Sequence, residues 1–198
     1  MAASRKSLIK DEPNRRAEIV RAASRLFAEK GYSATTIRDI AKAVDMQSGS
    51  PFYHFKTKHD MLKAVVLEGM EIITRAVSAA TARDGTPREI FDAMLLAHLE
   101  QLLAEDGRHF AATLLHESHH LDPAALAELI EQKDAYEALW QKALRELKRG
   151  GEIEDDSHVT RLLLMGALNW TVQWYRPNGG RTVKQIARQI SGLLLKER

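Results

Sequence analysis

At four points along this 198-residue chain a threonine stands three residues ahead of an acid or an amide and just before a run of helical periodicity: Thr36 and Asp39, Thr57 and Asp60, Thr86 and Glu89, Thr182 and Gln185. In that spacing the hydroxyl accepts an N–H from the first helical turn while the acid or amide reaches back to the threonine N–H, so two otherwise orphaned donors are satisfied. Each pair precedes apolar residues at spacings of three and four, the pattern of a helix with one buried face. After Thr36 these are Ile37, Ile40, Ala41 and Val44, with Arg38 and Lys42 facing outward, and that helix ends near Val44 or Asp45. Thr57 starts a long helix to about Arg83, and Thr86-Pro87 starts one whose pattern (Ile90, Phe91, Met94, Leu95, His98, Leu99, Leu102) is broad enough to be buried on more than one side. Pro13 opens the first helix, which closes before Gly31; Asp122-Pro123 opens another that runs to about Lys148 and stops at Gly150-Gly151. The chain reads as all-α, with about nine helices.

The short helix after Thr36 is followed at once by a second, from about Gln47–Ser50 to Phe55. Two short helices across a tight turn are the geometry that sets a reading helix into the major groove of DNA. Pro51 is tolerated only in a first turn, so Ser50 is expected as the cap and Pro51 as the first helical residue. Tyr53, His54, Lys56 and Lys58 combine a phenol, an imidazole and two ammonium groups, a set suited to phosphate oxygens. Phe52 and Phe55 read as core aromatics packing against the first helix. Residues 1–60 carry 12 Lys and Arg against 7 Asp and Glu, while residues 61–198 carry 17 against 20. A basic head on a mildly acidic body is the electrostatic footprint of nucleic-acid binding.

T-T-I-R-D-I-A at 35–41, S-G-S at 48–50 and F-Y-H-F-K-T-K at 52–58, in that order and spacing, resemble the TetR family of bacterial transcriptional regulators. The resemblance implies that Thr36 and Arg38 touch backbone phosphates, that Gln47, Ser48, Gly49 and Ser50 face bases, and that Tyr53, His54 and Lys58 clamp phosphates, with Lys56 alongside. Two positions depart from the family pattern: Pro51 stands where Leu is usual, and Ser48 where Lys is common. Losing that lysine leaves less direct base readout.

With 44% apolar residues the chain can bury a substantial core. It has no cysteine, so disulfides, thiolate catalysis and cysteine metal sites are excluded. No apolar run approaches the ~18 residues that span a bilayer, and Met1–Lys10 lacks the apolar stretch of a signal peptide, so a cytoplasmic protein without membrane contact is expected. The expected organisation is a flexible basic arm over 1–12, a helix-turn-helix domain over 13–58 and a helical sensing and dimerisation domain over 59–198.

Within that body, His116-Glu117-Ser118-His119-His120 matches the H-E-x-x-H spacing of zinc hydrolases. A zinc hydrolase also needs a third protein ligand and a continuous helix, whereas Asp122-Pro123 follows immediately. The preferred reading is therefore histidines at a helix C-terminus, with no metal, no cofactor and no enzymatic activity.

The helix from about Ser157 to Tyr175 is apolar nearly all round, so one of its faces is expected to meet a second subunit. With the last helix it suggests an antiparallel pair at a homodimer interface, with Leu168, Val172, Ile186, Ile190 and Leu194 as contact residues. Met94, His98, Phe110, Leu114, Trp140, Asn169, Trp170 and Trp174 form a candidate pocket, largely apolar with a few polar points. By resemblance the chain is a repressor that binds a palindromic double-stranded operator as a dimer and is released by a small effector. W-T-V-Q-W-Y-R-P at 170–177 is similar to the subgroup that regulates lipid or steroid breakdown, which points to an acyl-CoA thioester. The alternative is a TetR-like activator or adaptor with no small-molecule trigger.

Overall fold

The computed structural model describes residues 12–47 and 49–196; Ser48 and all of the expected arm but Glu12 lie outside the described residues. Among the described residues there are eight α-helices, two one-turn 3-10 helices and no strand. All four threonine pairs form the expected caps. The Thr36, Thr57, Thr86 and Thr182 N–H groups donate to Asp39, Asp60, Glu89 and Gln185 at 2.8–2.9 Å, and each hydroxyl accepts the reciprocal N–H.

The chain divides into two compact units. The first holds the described residues up to Leu67 together with His109–Leu126. It contains α1 (Glu12–Lys30), α2 (Ile37–Ala43), a 3-10 turn at Ser50–Tyr53 and the first part of α3 (Lys58–Thr81). Most of α5 (Glu105–Glu117), a second 3-10 turn at Ser118–His120 and the start of α6 (Pro123–Arg149) complete it. Ile19 and Ala23 of α1, Ile40 and Ala41 of α2, and Met61 and Leu62 of α3 are fully buried, so all three helices contribute to the core of this unit. Fully burying each larger aliphatic side chain is worth about 1.5–3 kcal/mol.

Between α2 and the reading turn, Asp45 takes a left-handed conformation at φ 51°, which lets the Met46 N–H reach back to the Ala41 carbonyl at 2.9 Å. Aspartate tolerates this conformation better than most residues other than glycine.

The second unit comprises Glu68–Arg108 and the chain from Ala127 onward. Here α4 (Pro87–Leu103) packs against both α7 (His158–Trp174) and α8 (Val183–Leu194). Phe91, Met94, Leu95, His98, Leu99, Leu102 and Leu103 are buried around much of its circumference, as its broad pattern required. The Ser191 hydroxyl on α8 donates to Asp92 of α4. Glycine is obligatory at one corner: a Cβ on Gly107 would lie 1.8 Å from the Gln101 carbonyl oxygen.

On α7 the inward face is Arg161, Leu164, Leu168 and Thr171, while Leu162, Leu163, Trp170 and Trp174 are 49, 70, 65 and 49% exposed. Arg161 is buried because its guanidinium is paired with Glu137 and also donates to Gln141 and His158. Such pairing is what makes a buried charge tolerable.

Candidate nucleic-acid interface and body core

The reading segment begins where α2 ends. Gln47 accepts the Ser50 N–H at 2.9 Å through its carbonyl, and the backbone then makes one 3-10 turn over Ser50–Tyr53. A short α-helix with Ser50 as its cap was expected; instead Gly49 precedes the turn and provides no side-chain cap. Pro51 has no N–H to extend an α-helical ladder backwards, and its ring is buried, which confines the segment to one turn.

That turn divides the aromatics in a way their spacing could not. Phe55 is 5% exposed, with the Arg16 guanidinium over its ring at 5.0 Å, whereas Phe52 is 49% exposed and so is not the core residue expected. Tyr53 is 77% exposed and meets the His54 ring edge-on at 5.3 Å. Thr36, Arg38, Lys42, Gln47, Gly49 and Lys56 are exposed, and Ser50 and His54 are half-buried. The expected DNA-contacting side chains other than Ser48 and Lys58 thus reach solvent from the start of α2 through the turn to the segment that follows.

Lys58 is different. Its ammonium donates to the Tyr32 carbonyl at 2.7 Å and the Thr35 carbonyl at 2.9 Å, and it sits 4.2 Å from the Tyr32 ring centroid. It thus satisfies the carbonyls of the loop between α1 and α2, a structural engagement that sequence reading assigned wholly to phosphate. Thr35 completes that loop from the other side, its buried hydroxyl donating to the Gly31 carbonyl at 2.8 Å.

The H-E-x-x-H residues do not form one helical face. His116 lies in the last turn of α5, and His119 and His120 lie in the 3-10 turn, with the His120 ring 4.8 Å from Tyr32 and its Nε2 3.6 Å from Glu117. Among the described residues no three His, Asp or Glu side chains are grouped to hold a metal ion. The tract instead packs on the head: His59 lies 3.1 Å from Asp122, and the buried Thr113 hydroxyl donates to the Ser24 carbonyl at 3.2 Å.

Of the expected pocket residues, Met94, His98 and Trp140 are buried together in the second unit, and Asn169 neighbours His98. Phe110 and Leu114 belong to the first unit and are half-buried there, while Trp170 and Trp174 are on the exposed face of α7. Tyr136 of α6 joins this cluster: its hydroxyl lies 2.5 Å from His98 Nδ1, and Trp140 crosses both rings edge-on. Burial holds His98 neutral, with its pKa lowered to about 4, while Asn169 opposes the shift weakly; burial likewise raises the Tyr136 pKa. His98 Nε2 and Trp140 Nε1 are buried without a hydrogen-bond partner among the described residues.

Of the expected dimer residues, Leu168 and Ile186 are buried inside the chain, and Val172, Ile190 and Leu194 are half-buried. Leu168 and Ile186 therefore belong to the chain's own core, and the other three are only partly covered by it. The free apolar face of α7 is the neighbouring stripe through Leu162, Leu163, Trp170 and Trp174. Among the described residues no helix is long and apolar enough to cross a membrane.

Comparison with known proteins gives two family matches. Residues 19–65 match the bacterial regulatory proteins of the tetR family, and residues 84–197 match a tetracyclin repressor-like C-terminal domain. The chain is 28% identical over 185 residues to the HTH-type transcriptional repressor KstR2 of Rhodococcus jostii (strain RHA1), covering 91% of this chain and 89% of the relative. A solved structure described as the superantigen pfit shares 34% identity at a TM-score of 0.78, covering 92% of this chain and 89% of its own. A structure of AibR in complex with isovaleryl coenzyme A and operator DNA shares 26% identity at a TM-score of 0.79, covering 91% and 97%.

Proposed function

Because this chain belongs to the tetR family, whose members among its relatives are transcriptional regulators and not enzymes, we propose that it is a ligand-responsive repressor. In this reading it binds a palindromic operator as a homodimer and is released by a small apolar or acyl-CoA-type effector. The observation that carries the DNA half is the reading turn: Gln47, Gly49, Phe52 and Tyr53 are all exposed, flanked by the exposed cations Arg38, Lys42 and Lys56. Cations on the flanks position a duplex through its phosphates, and the turn between them meets base edges. Residues 13–58 act as the DNA-binding domain and 59–198 as the sensing and dimerisation domain. The latter part of α5 nevertheless packs with the head.

The dimer half is supported by α7. Four large apolar side chains on one exposed face of one helix form the kind of contiguous patch that soluble monomers rarely leave in water. A twofold pairing through it holds two reading turns at a fixed spacing, matched to two half-sites one helical turn apart or a multiple of that. The effector half is supported by the His98, Tyr136 and Trp140 cluster, a few polar groups within an apolar surround in the second unit. The AibR complex with isovaleryl coenzyme A makes an acyl-CoA thioester the first effector class to test. Helices α3, α5 and α6 each run from one unit into the other, so a shift in the sensing unit has a continuous route to the head. The effector must bind the two states with different affinity for that shift to release DNA.

The test is fluorescence anisotropy of the protein on labelled DNA from just upstream of its own coding region. Tight binding that weakens steeply with salt, two or more subunits per site, and release by acyl-CoA thioesters of increasing chain length is the expected result. Binding unaffected by any thioester points to the activator or adaptor reading, and equal weak binding to every duplex removes the upstream operator.

A further inference from the structure

The reading turn is unusual in what it lacks. The ten residues Met46–Phe55 contain no lysine and no arginine, so the commonest guanine reader, a cation bidentate to O6 and N7, is missing from the segment placed to meet bases. The cations stand on either side, at Arg38 and Lys42 on α2 and at Lys56 after the turn. The single histidine of the segment, His54, is half-buried against Tyr53. Of the side chains exposed between the flanks, Tyr53 carries a phenol suited to phosphate oxygens, which leaves Gln47 and Phe52 to report on bases. Gln47 carries an amide that can bond the N6 and N7 edge of adenine. Phe52 carries a ring that is 49% exposed and has no hydroxyl with which to bond a phosphate.

Backbone geometry favours close approach at this place. A Cβ on Gly49 would meet nothing within 4 Å, so the chain before the turn presents bare backbone, and Pro51 turns its own ring inward. Side chains three apart in a 3-10 turn eclipse one another. Ser50 and Tyr53 therefore share one edge, and Phe52 projects from another. A phenyl ring offered to the major groove finds one apolar feature there, the C5-methyl group of thymine.

Resting on the DNA-binding reading above, we infer that this head reads A·T pairs in the major groove, Phe52 by packing on a thymine methyl and Gln47 by bonding an adenine edge. Guanine contributes nothing through the turn itself. Specificity then comes from one methyl contact and one amide pair per half-site, and the flanking cations supply affinity without sequence information.

The experiment uses the full chain. A duplex is first selected from random DNA by repeated binding, and its thymines are then replaced one at a time by deoxyuridine, which lacks only the methyl. Replacement at one symmetric position per half-site is expected to weaken binding about fourfold, the worth of one buried methyl group. Phe52→Ala is expected to bind the parent duplex with an unchanged salt slope and to lose the thymine-over-uracil preference at that position. Gln47→Ala is expected to lose discrimination against 7-deazaadenine, which lacks N7. Circular dichroism of both variants checks that these exposed substitutions leave the fold intact. The inference is overturned, with DNA binding itself intact, if no uracil replacement matters or if the uracil penalty survives Phe52→Ala. It is equally overturned if selection yields half-sites whose major-groove contacts are to guanine. Failure to select any duplex removes the DNA-binding reading and the inference with it.

Discussion

At the scale of single residues, the structure contains positions whose chemistry is fixed by a neighbour far from them in sequence or by a turn of backbone. Gly107 is held by the Gln101 carbonyl, which a Cβ would meet at 1.8 Å. Gly107→Ala is expected to destabilise the fold by about 1–3 kcal/mol, the usual cost of forcing atoms into a packed site, read as a lowered urea midpoint with an unchanged m-value. His98 gives a pH dependence. Its folded pKa of about 4 lies below the ordinary 6.5, so between those values the unfolded chain binds the extra proton. The stability this supports is fully present above about pH 6.5 and is lost as pH falls toward 4, with a full penalty of about 3 kcal/mol. His98→Gln is expected to remove that part of the loss, measured as a smaller difference between urea midpoints at pH 7.5 and pH 5 than the parent protein shows.

At the scale of elements, α7 shows how one helix can serve two surroundings. Its inward face packs on α4, and its outward stripe leaves Leu163 70% and Trp170 65% exposed. Placing a charge on that stripe removes apolar area from a proposed interface without touching the chain's own core. Leu163→Lys or Trp170→Glu is expected to shift the protein to monomer in analytical ultracentrifugation at micromolar concentration, with little change in helix content. Leu168→Ala is expected instead to lower the thermal midpoint by emptying a core site, at about 2–5 kcal/mol. If Leu163→Lys leaves the sedimentation coefficient of a dimer unchanged, the interface is elsewhere.

At the scale of the whole molecule, binding to an operator sums many weak phosphate contacts, and its salt dependence counts them. Each phosphate neutralised contributes a slope of about −0.9 in log K against log salt on duplex DNA. Arg38 is exposed on α2 beside the reading turn, and Arg38→Ala is expected to reduce the slope by about two per dimer, with no change in which sequence is preferred. A substitution in the turn is expected to do the reverse. Lys58→Ala is distinguishable from both, because its ammonium already holds the Tyr32 and Thr35 carbonyls. Its loss is expected to lower stability as well as DNA affinity.

The sequence by itself determined the helix starts and the family. A capping box is closed within three residues, and the family motifs are local strings, so nothing distant has to be known to read them. The all-α class followed for the same reason, as did the stripe of α2. Tertiary structure alone decided which apolar residues were core. On α7 nearly every face is apolar, and periodicity cannot say that Leu168 turns inward while Leu163 and Trp170 stay out. Phe52 and Phe55 differ only in where a proline-limited 3-10 turn points them, and Lys58 looked like a free cation until two carbonyls 26 and 23 residues upstream folded against it. Tyr136 became a polar partner only because another helix brought His98 to its hydroxyl. A contact between residues far apart in the chain depends on how helices pack, and helix packing is a property of the assembled core rather than of any local string.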